Sequence, residues 1–335
     1  MVLHCTLEEA NELDAIPKYH LSNPTRLNMA EESDIQRQES LDRLSTLLES
    51  IADQKVTLIG DTMLDRYHHG FANNLNSTAP VPVLKILNSE ESPGASAHIA
   101  IGLTSFGMDV SFHTVVGGDS EANTIISSLE SVGISLENII SVKGRNTLTK
   151  IRFYGSRESL LDRSQILLQA DRGPNEALDT TISQSLTDSA LSNISSSCAL
   201  VISDYDKGFL TEDDINEICW HHANVFLDTK KILGVWCQHA HYIKINDFEY
   251  QNSKPYLVPE IKHRIIHTMG GDGCEYKGKR YPVNKVEVKD VSGAGDSFMA
   301  GLVVEYCRTQ DIIKSIEFAN KRASEVVTHR GVTVL

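Results

Sequence analysis

The sequence predicts a three-layer α/β/α fold built on a mostly parallel, doubly wound sheet, and three observations carry that expectation. Short apolar, β-branched runs such as Lys55–Ile59, Phe112–Val116 and Cys198–Ser203 read as strands buried on both faces. Loops rich in Gly or Asp follow them, then stretches with apolar residues at helical spacing, and repeated β-turn-α units of this length wind right-handed. Carboxylates and glycines gather where these strands end, the edge at which open α/β sheets bind ligands.

Composition narrows the class. At 335 residues and 37.1 kDa the chain can bury one large domain, or one domain and a small one. Lys and Arg number 31 against 45 Asp and Glu, and the net charge of -14 argues against a nucleic-acid partner. No apolar run approaches a membrane span, and the N-terminus is too acidic and polar for a signal peptide. Six cysteines (5, 198, 219, 237, 274 and 307) lie far apart without a C-x-x-C pair. They read as reduced thiols in a cytoplasmic protein. The pairs His68-His69 and His221-His222 lack partner ligands at metal spacing and read as structural or surface residues.

In chain order, residues 1–32 show no periodicity and read as an N-terminal extension to a domain over 33–335. A helix is expected from Ser33 to near Asp53, with Leu41, Leu44, Leu47, Leu48 and Ile51 on one face. The strand Lys55–Ile59 runs into Gly60-Asp61-Thr62-Met63-Leu64-Asp65-Arg66-Tyr67. Asp65 there is either a bidentate acceptor for two hydroxyls or a solvated turn carboxylate. Residues 67–87 turn from polar and aromatic to β-rich, and Pro80 and Pro82 suit an edge strand. After Ser92-Pro93-Gly94-Ala95-Ser96-Ala97-His98 comes an apolar helix, Ile99 to Phe106. Ala95 is expected to keep φ negative, and His98 can hydrogen-bond and can be charged. The unit from Phe112 to Asp119 leads to a helix from Ala122 to Val132.

Lys150 and Arg152 share one face of a strand, which is solvated or ligand-facing. The strand Cys198–Ser203 ends in Asp204-Tyr205-Asp206-Lys207-Gly208, and Val225–Leu227 leads to Asp228-Thr229-Lys230. Taken singly, these charges would be ordinary surface ion pairs. Ile243–Ile245 precedes Asn246-Asp247-Phe248-Glu249. The stretch from Ile265 to Gly273, carrying Thr268, Gly270 and Gly273, is followed by a hairpin.

The most informative stretch is 288–304. An extended approach through Asp290 and Val291 meets the small-residue turn Ser292-Gly293-Ala294-Gly295, and Asp296 opens an apolar helix. Unpaired first-turn amides and the helix dipole make such a turn an anion site, and glycine lets a phosphate approach. Asp296 beside it is either a base for an alcohol attacking phosphorus or a helix N-cap.

Asp-Val-Ser-Gly-Ala-Gly-Asp-Ser-Phe resembles the C-terminal signature of the PfkB, or ribokinase-like, sugar kinases. That resemblance implies a ribokinase-like fold with a small β lid built partly from about 67–87, Asp296 as catalytic base, and the amides of Gly293, Ala294 and Gly295 as anion hole. The motif around Asp65, with Ala79-Pro80-Val81-Pro82-Val83, is similar to the kinase half of heptose-7-phosphate kinases. Five or more motifs in family order span roughly 55–334.

By the resemblance, Asp65, Gly94, His98, Lys150, Arg152, Asp204 and Lys207 contact or order the sugar, and Lys150 and Arg152 meet its phosphate. Lys230, Asn246, Thr268, Gly270, Gly273 and Asn320 serve the nucleotide, and Gly331–Val334 continue the adenine wall. Asn246 and Glu249 place magnesium through water. The cofactors implied are ATP and Mg2+, with a monovalent cation such as K+ left open. The partner set is a sugar or sugar phosphate, no nucleic acid, no membrane, and a second copy paired through the lid.

The chain departs from the family at Ala95 (for Gly), His98 (for Asn) and Asn74–Ser77 (for a lid segment with Arg). A kinase of another sugar and a non-catalytic binding protein are the competing expectations. A helix near Tyr250–His263 is expected to be short, and the nucleotidyltransferase half of bifunctional heptose enzymes finds no counterpart, so kinase chemistry alone is expected.

Overall fold

The structure, a computed structural model, describes residues 54–157, 164–174 and 177–329. The expected extension over 1–32, the helix from Ser33 and the segment Gly331–Val334 lie outside these residues.

The chain leaves β1 (Lys55–Gly60) and passes directly into β2 (Thr62–Leu75), a long strand where a turn was expected. The β3 strand (Pro82–Ala95) returns antiparallel to it and hands over to α1 (Ser96–Ser105). Next come β4 (Asp109–Gly117), α2 (Ser120–Ser131), β5 (Ile139–Val142), β6 (Leu148–Ser156) and β7 (Gln165–Arg172). The second half runs α3 (Thr180–Ile194), β8 (Ala199–Asp204), α4 (Glu212–Trp220), β9 (Val225–Thr229), β10 (Tyr242–Asn246), α5 (Asp247–Ser253) and α6 (Pro259–Lys262). It closes with β11 (Ile265–Thr268), the hairpin β12 (Cys274–Tyr276) and β13 (Lys279–Tyr281), and helices α7 (Ala294–Thr309) and α8 (Ile312–Val326). The four residues of α6 match the abbreviated helix expected there.

Nine strands form the main sheet in the order β13-β12-β11-β10-β9-β8-β1-β4-β5, parallel except for the β11–β12–β13 edge. Side chains alternate across each central strand: Leu58, Val201 and Phe226 enter one core with α1, α7 and α8, while Ile59, Ile202 and Leu227 enter the other with α3 and α4. Strand order reverses between β1 and β8, so the crevice opens where Gly60 and Asp204 end their strands.

The lid is a separate sheet, β3-β2-β6-β7, and is wider than residues 67–87. Its hinge is tied down at the β3–α1 junction, where the Ser96 hydroxyl donates to Asp61 O at 2.6 Å and meets Thr62 Oγ1 at 2.9 Å. Ala95 overturns the expectation of negative φ: it sits at φ 55, ψ -131, a region where a Cβ meets the neighbouring backbone. The buried hinge holds that conformation against its strain. Ala95→Gly is therefore expected to stabilise the fold by about 1 kcal/mol, measured as a rise of roughly 2 °C in Tm.

Candidate active site

Helix α7 starts two residues earlier than the sequence suggests. Gly293, left-handed at φ 74, is its N-cap, Ala294 and Gly295 lie in its first turn, and Asp296 is its third residue. No side chain caps this terminus, so the N-cap reading of Asp296 is wrong. The approach through Asp290 and Val291 is not a strand either: Lys289 and Asp290 hydrogen-bond through their amides to Val327 O, on the end of α8. Small residues at 292–295 favour a turn over a ladder, and α8 supplies the acceptor a strand would have offered. Ala294 N–H reaches Val291 O at 3.3 Å, so it is a poorer anion donor than expected.

The Asp296 carboxylate is buried and accepts a 2.7 Å hydrogen bond from the Tyr205 hydroxyl. Burial pushes its pKa up to about 6; the Lys244 ammonium, the Tyr205 bond and Lys230 pull it down, and Asp228 pushes it up. Such a carboxylate is ionised at neutral pH yet far more basic than a surface Asp, which suits a general base. Tyr205 is itself held neutral by burial and by the charges of Asp296, Asp228 and Asp65. Its phenol remains a donor, fixing the base.

Around this carboxylate opens a cleft of about 1070 Å³. It brings together Lys230, Asn246, Thr268, Gly270, Gly273, Asn320 and residues 293–296, all expected at the nucleotide or the reaction. The exposed side chains of Phe248, Val288 and Val291 give its mouth an apolar wall. Gly273 is left-handed at φ 83, and a Cβ there would lie 2.1 Å from Tyr281 O, so loop and hairpin meet only with glycine. The Asn320 amide donates to Tyr281 O at 2.9 Å and braces the same hairpin.

Asn-x-x-Glu has a local cause. Asn246 caps α5: its side chain accepts from Glu249 N, while Glu249 Oε2 accepts from Asn246 N at 2.8 Å. Glu249 Oε1 takes the Asn246 amide and the Lys230 ammonium at 2.5 Å. Burial opposes the charge on Lys230, but Asp228 and Glu249 hold its pKa above the usual lysine range. Both carboxylate oxygens of Glu249 are thus engaged. The donor set fits magnesium held through water with phosphate oxygens as its main ligands, and does not fit a direct protein cage.

The sugar-side residues divide. Asp65, Tyr67 and His69 stand on one face of β2, in register with Lys150, Arg152 and Tyr154 on β6. Arg152 Nη1 donates to Asp65 Oδ1 at 2.6 Å and to the Tyr67 hydroxyl at 3.0 Å. Burial raises the pKa of Asp65 and Arg152 opposes that rise. Gly94 is what lets the Asp65 carboxylate lie here, since a Cβ would fall 2.1 Å from Oδ2.

His98 is buried against α7, with Nε2 3.2 Å from Ser297 Oγ. Burial drops its pKa to about 4, so the expectation that it can be charged does not hold near neutral pH. The Asp204 carboxylate lies under the site, accepting from Lys231 at 2.9 and 3.0 Å and from Thr229 at 2.6 Å. Lys207 is half-buried and its carbonyl accepts from Arg145 at 3.4 Å.

Three residues near the chemistry went unassigned in the sequence. Tyr205 lay inside a quoted motif without a role. Lys244 sits between two fully buried isoleucines. A lysine in such a strand needs a buried partner, and that signal could have found it. Asp61 accepts from Tyr205 N at 2.7 Å, and burial with nearby Asp204 pushes its pKa up to about 7.

A glycine-capped helix with a buried carboxylate in its first turn, beside a large cleft, is an arrangement suited to phosphoryl transfer. Residues 53–335 match the model of the pfkB family carbohydrate kinases, and the chain belongs to that family. Among curated relatives, the "Bifunctional protein HldE" of Marinomonas sp. is 29% identical over 300 residues, covering 83% of this chain and 61% of that protein. The protein of the same name from Helicobacter pylori strain J99 is 28% identical over 301 residues, covering 83% and 64%. The chain thus spans about three fifths of these relatives. Among solved structures, the Methanocaldococcus jannaschii nucleoside kinase, an archaeal member of the ribokinase family, superposes with TM-score 0.62 at 20% identity, covering 85% of this chain and 95% of that one. Arabidopsis thaliana ribokinase, solved with ribose and ATP, gives 0.63 at 14% identity, covering 83% and 94%. These likenesses show the ribokinase fold.

Proposed function

We propose that this sugar kinase transfers the γ-phosphoryl group of ATP to the anomeric hydroxyl of D-glycero-D-manno-heptose 7-phosphate, with Asp296 as general base. The observation that carries the reading is the buried Asp296 carboxylate, held by Tyr205 at the N-terminus of α7. Asp296 takes the proton of the attacking hydroxyl while the amides of Gly293, Gly295 and Asp296 would face the equatorial oxygens of the transferring group. Lys230 and Asn246 line the cleft and, with Glu249 bound to both, would meet the nucleotide phosphates. Bound magnesium would neutralise phosphate charge, with Asn246 and Glu249 meeting its water shell. Asp65 and the row of Lys150 and Arg152 offer a hydroxyl acceptor beside two cations, a set matched to a sugar that already carries a phosphate.

His98 favours a second reading, a different sugar or sugar phosphate, because it stands buried 3.2 Å from Ser297 Oγ where the heptose kinases that the chain resembles carry Asn. ADP release with MgATP, measured on the heptose 7-phosphate beside free sugars and other sugar phosphates, separates the two. Preference for the heptose phosphate supports the proposal; turnover only on another sugar overturns the substrate and keeps the mechanism.

The base sets the pH response. Protonated Asp296 cannot accept the hydroxyl proton, so kcat/KM is expected to fall about tenfold per pH unit below about 6. A flat profile from pH 5 to 7.5 would remove Asp296 from that role. The lid also exposes apolar side chains, among them Val83, Ile86, Leu87, Ile166 and Leu168, which a second copy would cover. A dimer mass by light scattering that drops to monomer in a Leu87→Glu, Leu168→Glu double variant is the expected result.

A further inference from the structure

We propose that Lys244 is a catalytic residue of this phosphoryl transfer, its ammonium meeting the transferring group against the first turn of α7. The inference rests on the kinase reading above. Lys244 is 4% exposed on β10 and lines the same cleft as Gly295 and Asp296. Its Nζ donates to Asp228 Oδ2 at 2.6 Å, and a Cβ placed on Gly295 would lie 2.9 Å from that nitrogen. Glycine at 295 is therefore what lets the ammonium rest against the anion-binding turn.

An ammonium has three donors, and Asp228 accounts for one. The charge pattern points the same way. Asp228, Glu249 and Asp296 bring three negative charges, Lys230 and Lys244 two positive ones, and Lys230 is already bound by Glu249 at 2.5 Å. Without Lys244 a phosphate would enter a site with three carboxylates and one cation. With it, a compact cation stands where charge develops on the equatorial oxygens.

In the step itself the hydroxyl oxygen bonds to the γ-phosphorus, its proton passes to Asp296, and the bond to ADP breaks with its electron pair leaving on ADP. Lys244 keeps its proton throughout. The same ammonium is the leading influence holding the Asp296 pKa down against burial. One residue would thus serve both the phosphoryl group and the base.

The test compares wild type, Lys244→Met and Asp296→Asn. For Lys244→Met we expect kcat to fall about 100-fold, the sugar KM to stay within about threefold, and the acid limb of the pH profile to move above that of wild type. A readout without turnover is the tightening of MgADP binding by aluminium fluoride, expected to weaken at least about tenfold. A merely structural partner of Asp228 would lower Tm and leave kcat and the fluoride effect at wild-type values, which overturns the proposal. If Lys244→Met does not fold, Lys244→Gln takes its place, with the same expected losses in kcat and in the fluoride effect. Wild-type values of both in a folded variant overturn the idea. Turnover absent in wild type, or undiminished in Asp296→Asn, overturns the kinase reading itself; the Lys244 result alone cannot do so.

Discussion

Asp296→Asn is expected to lower turnover on the order of 10²–10⁴-fold while raising thermal stability. The first half follows from losing the proposed base, with Tyr205 left to hydrogen-bond a neutral amide. The second follows from linkage. The Asp296 pKa is about 6 in the folded chain against an ordinary 3.8, so burying this group as a carboxylate costs stability once pH rises through about 6. Asparagine is neutral throughout, and its advantage, on the order of 1–3 kcal/mol at pH 7–8, should shrink as pH falls toward 4. Denaturation of both proteins at pH 8 and pH 4.5 checks this. A variant less stable than wild type at pH 8 would mean that the carboxylate is stabilising the fold, contrary to its raised pKa.

Gly94→Ala is expected to raise the sugar KM about 10–100-fold with little change in the nucleotide KM. The added methyl would sit 2.1 Å from Asp65 Oδ2 and 3.0 Å from its Cγ. Asp65 cannot retreat freely, because Arg152 holds its other oxygen at 2.6 Å. The clash must displace the carboxylate, the hinge, or both, and neither movement reaches the nucleotide cleft. Steady-state kinetics in each substrate separate the effects, and an unchanged sugar KM would remove Asp65 from the sugar site.

The fold was largely legible because its signals are local. Buried parallel strands such as Ala199–Asp204 leave continuous apolar runs, and the glycine loops after them mark the ligand edge. That Thr268, Gly270, Gly273 and the turn at 293–296 line one cleft was legible for a similar reason, since each carries a short local glycine signal.

Long-range relations were less visible. The continuation of β1 into β2 depends on pairing with β3 and β6, whose partners lie up to about ninety residues away. Nothing local marks Thr62–Leu75 as one strand. The approach at 282–291 has β-branched residues but pairs with the end of α8 instead of a strand. Ala95 shows the limit of propensity, since tertiary ties at the hinge impose a positive φ that its side chain disfavours. Asn-x-x-Glu shows the reverse case, in which spacing noted for a metal role is first of all a capping box. The roles of Tyr205 and Lys244 come from Asp296, which lies 91 residues from Tyr205 in the chain and is met only on folding.

The central claim, sugar phosphorylation that depends on Asp296, is tested most directly by following MgATP and the heptose 7-phosphate by 31P NMR with wild type and with Asp296→Asn. One new sugar-phosphate resonance growing in step with ADP is expected for wild type, and none on that timescale for the variant. ATP converted to inorganic phosphate with the sugar untouched, or equal rates in the two proteins, would contradict it.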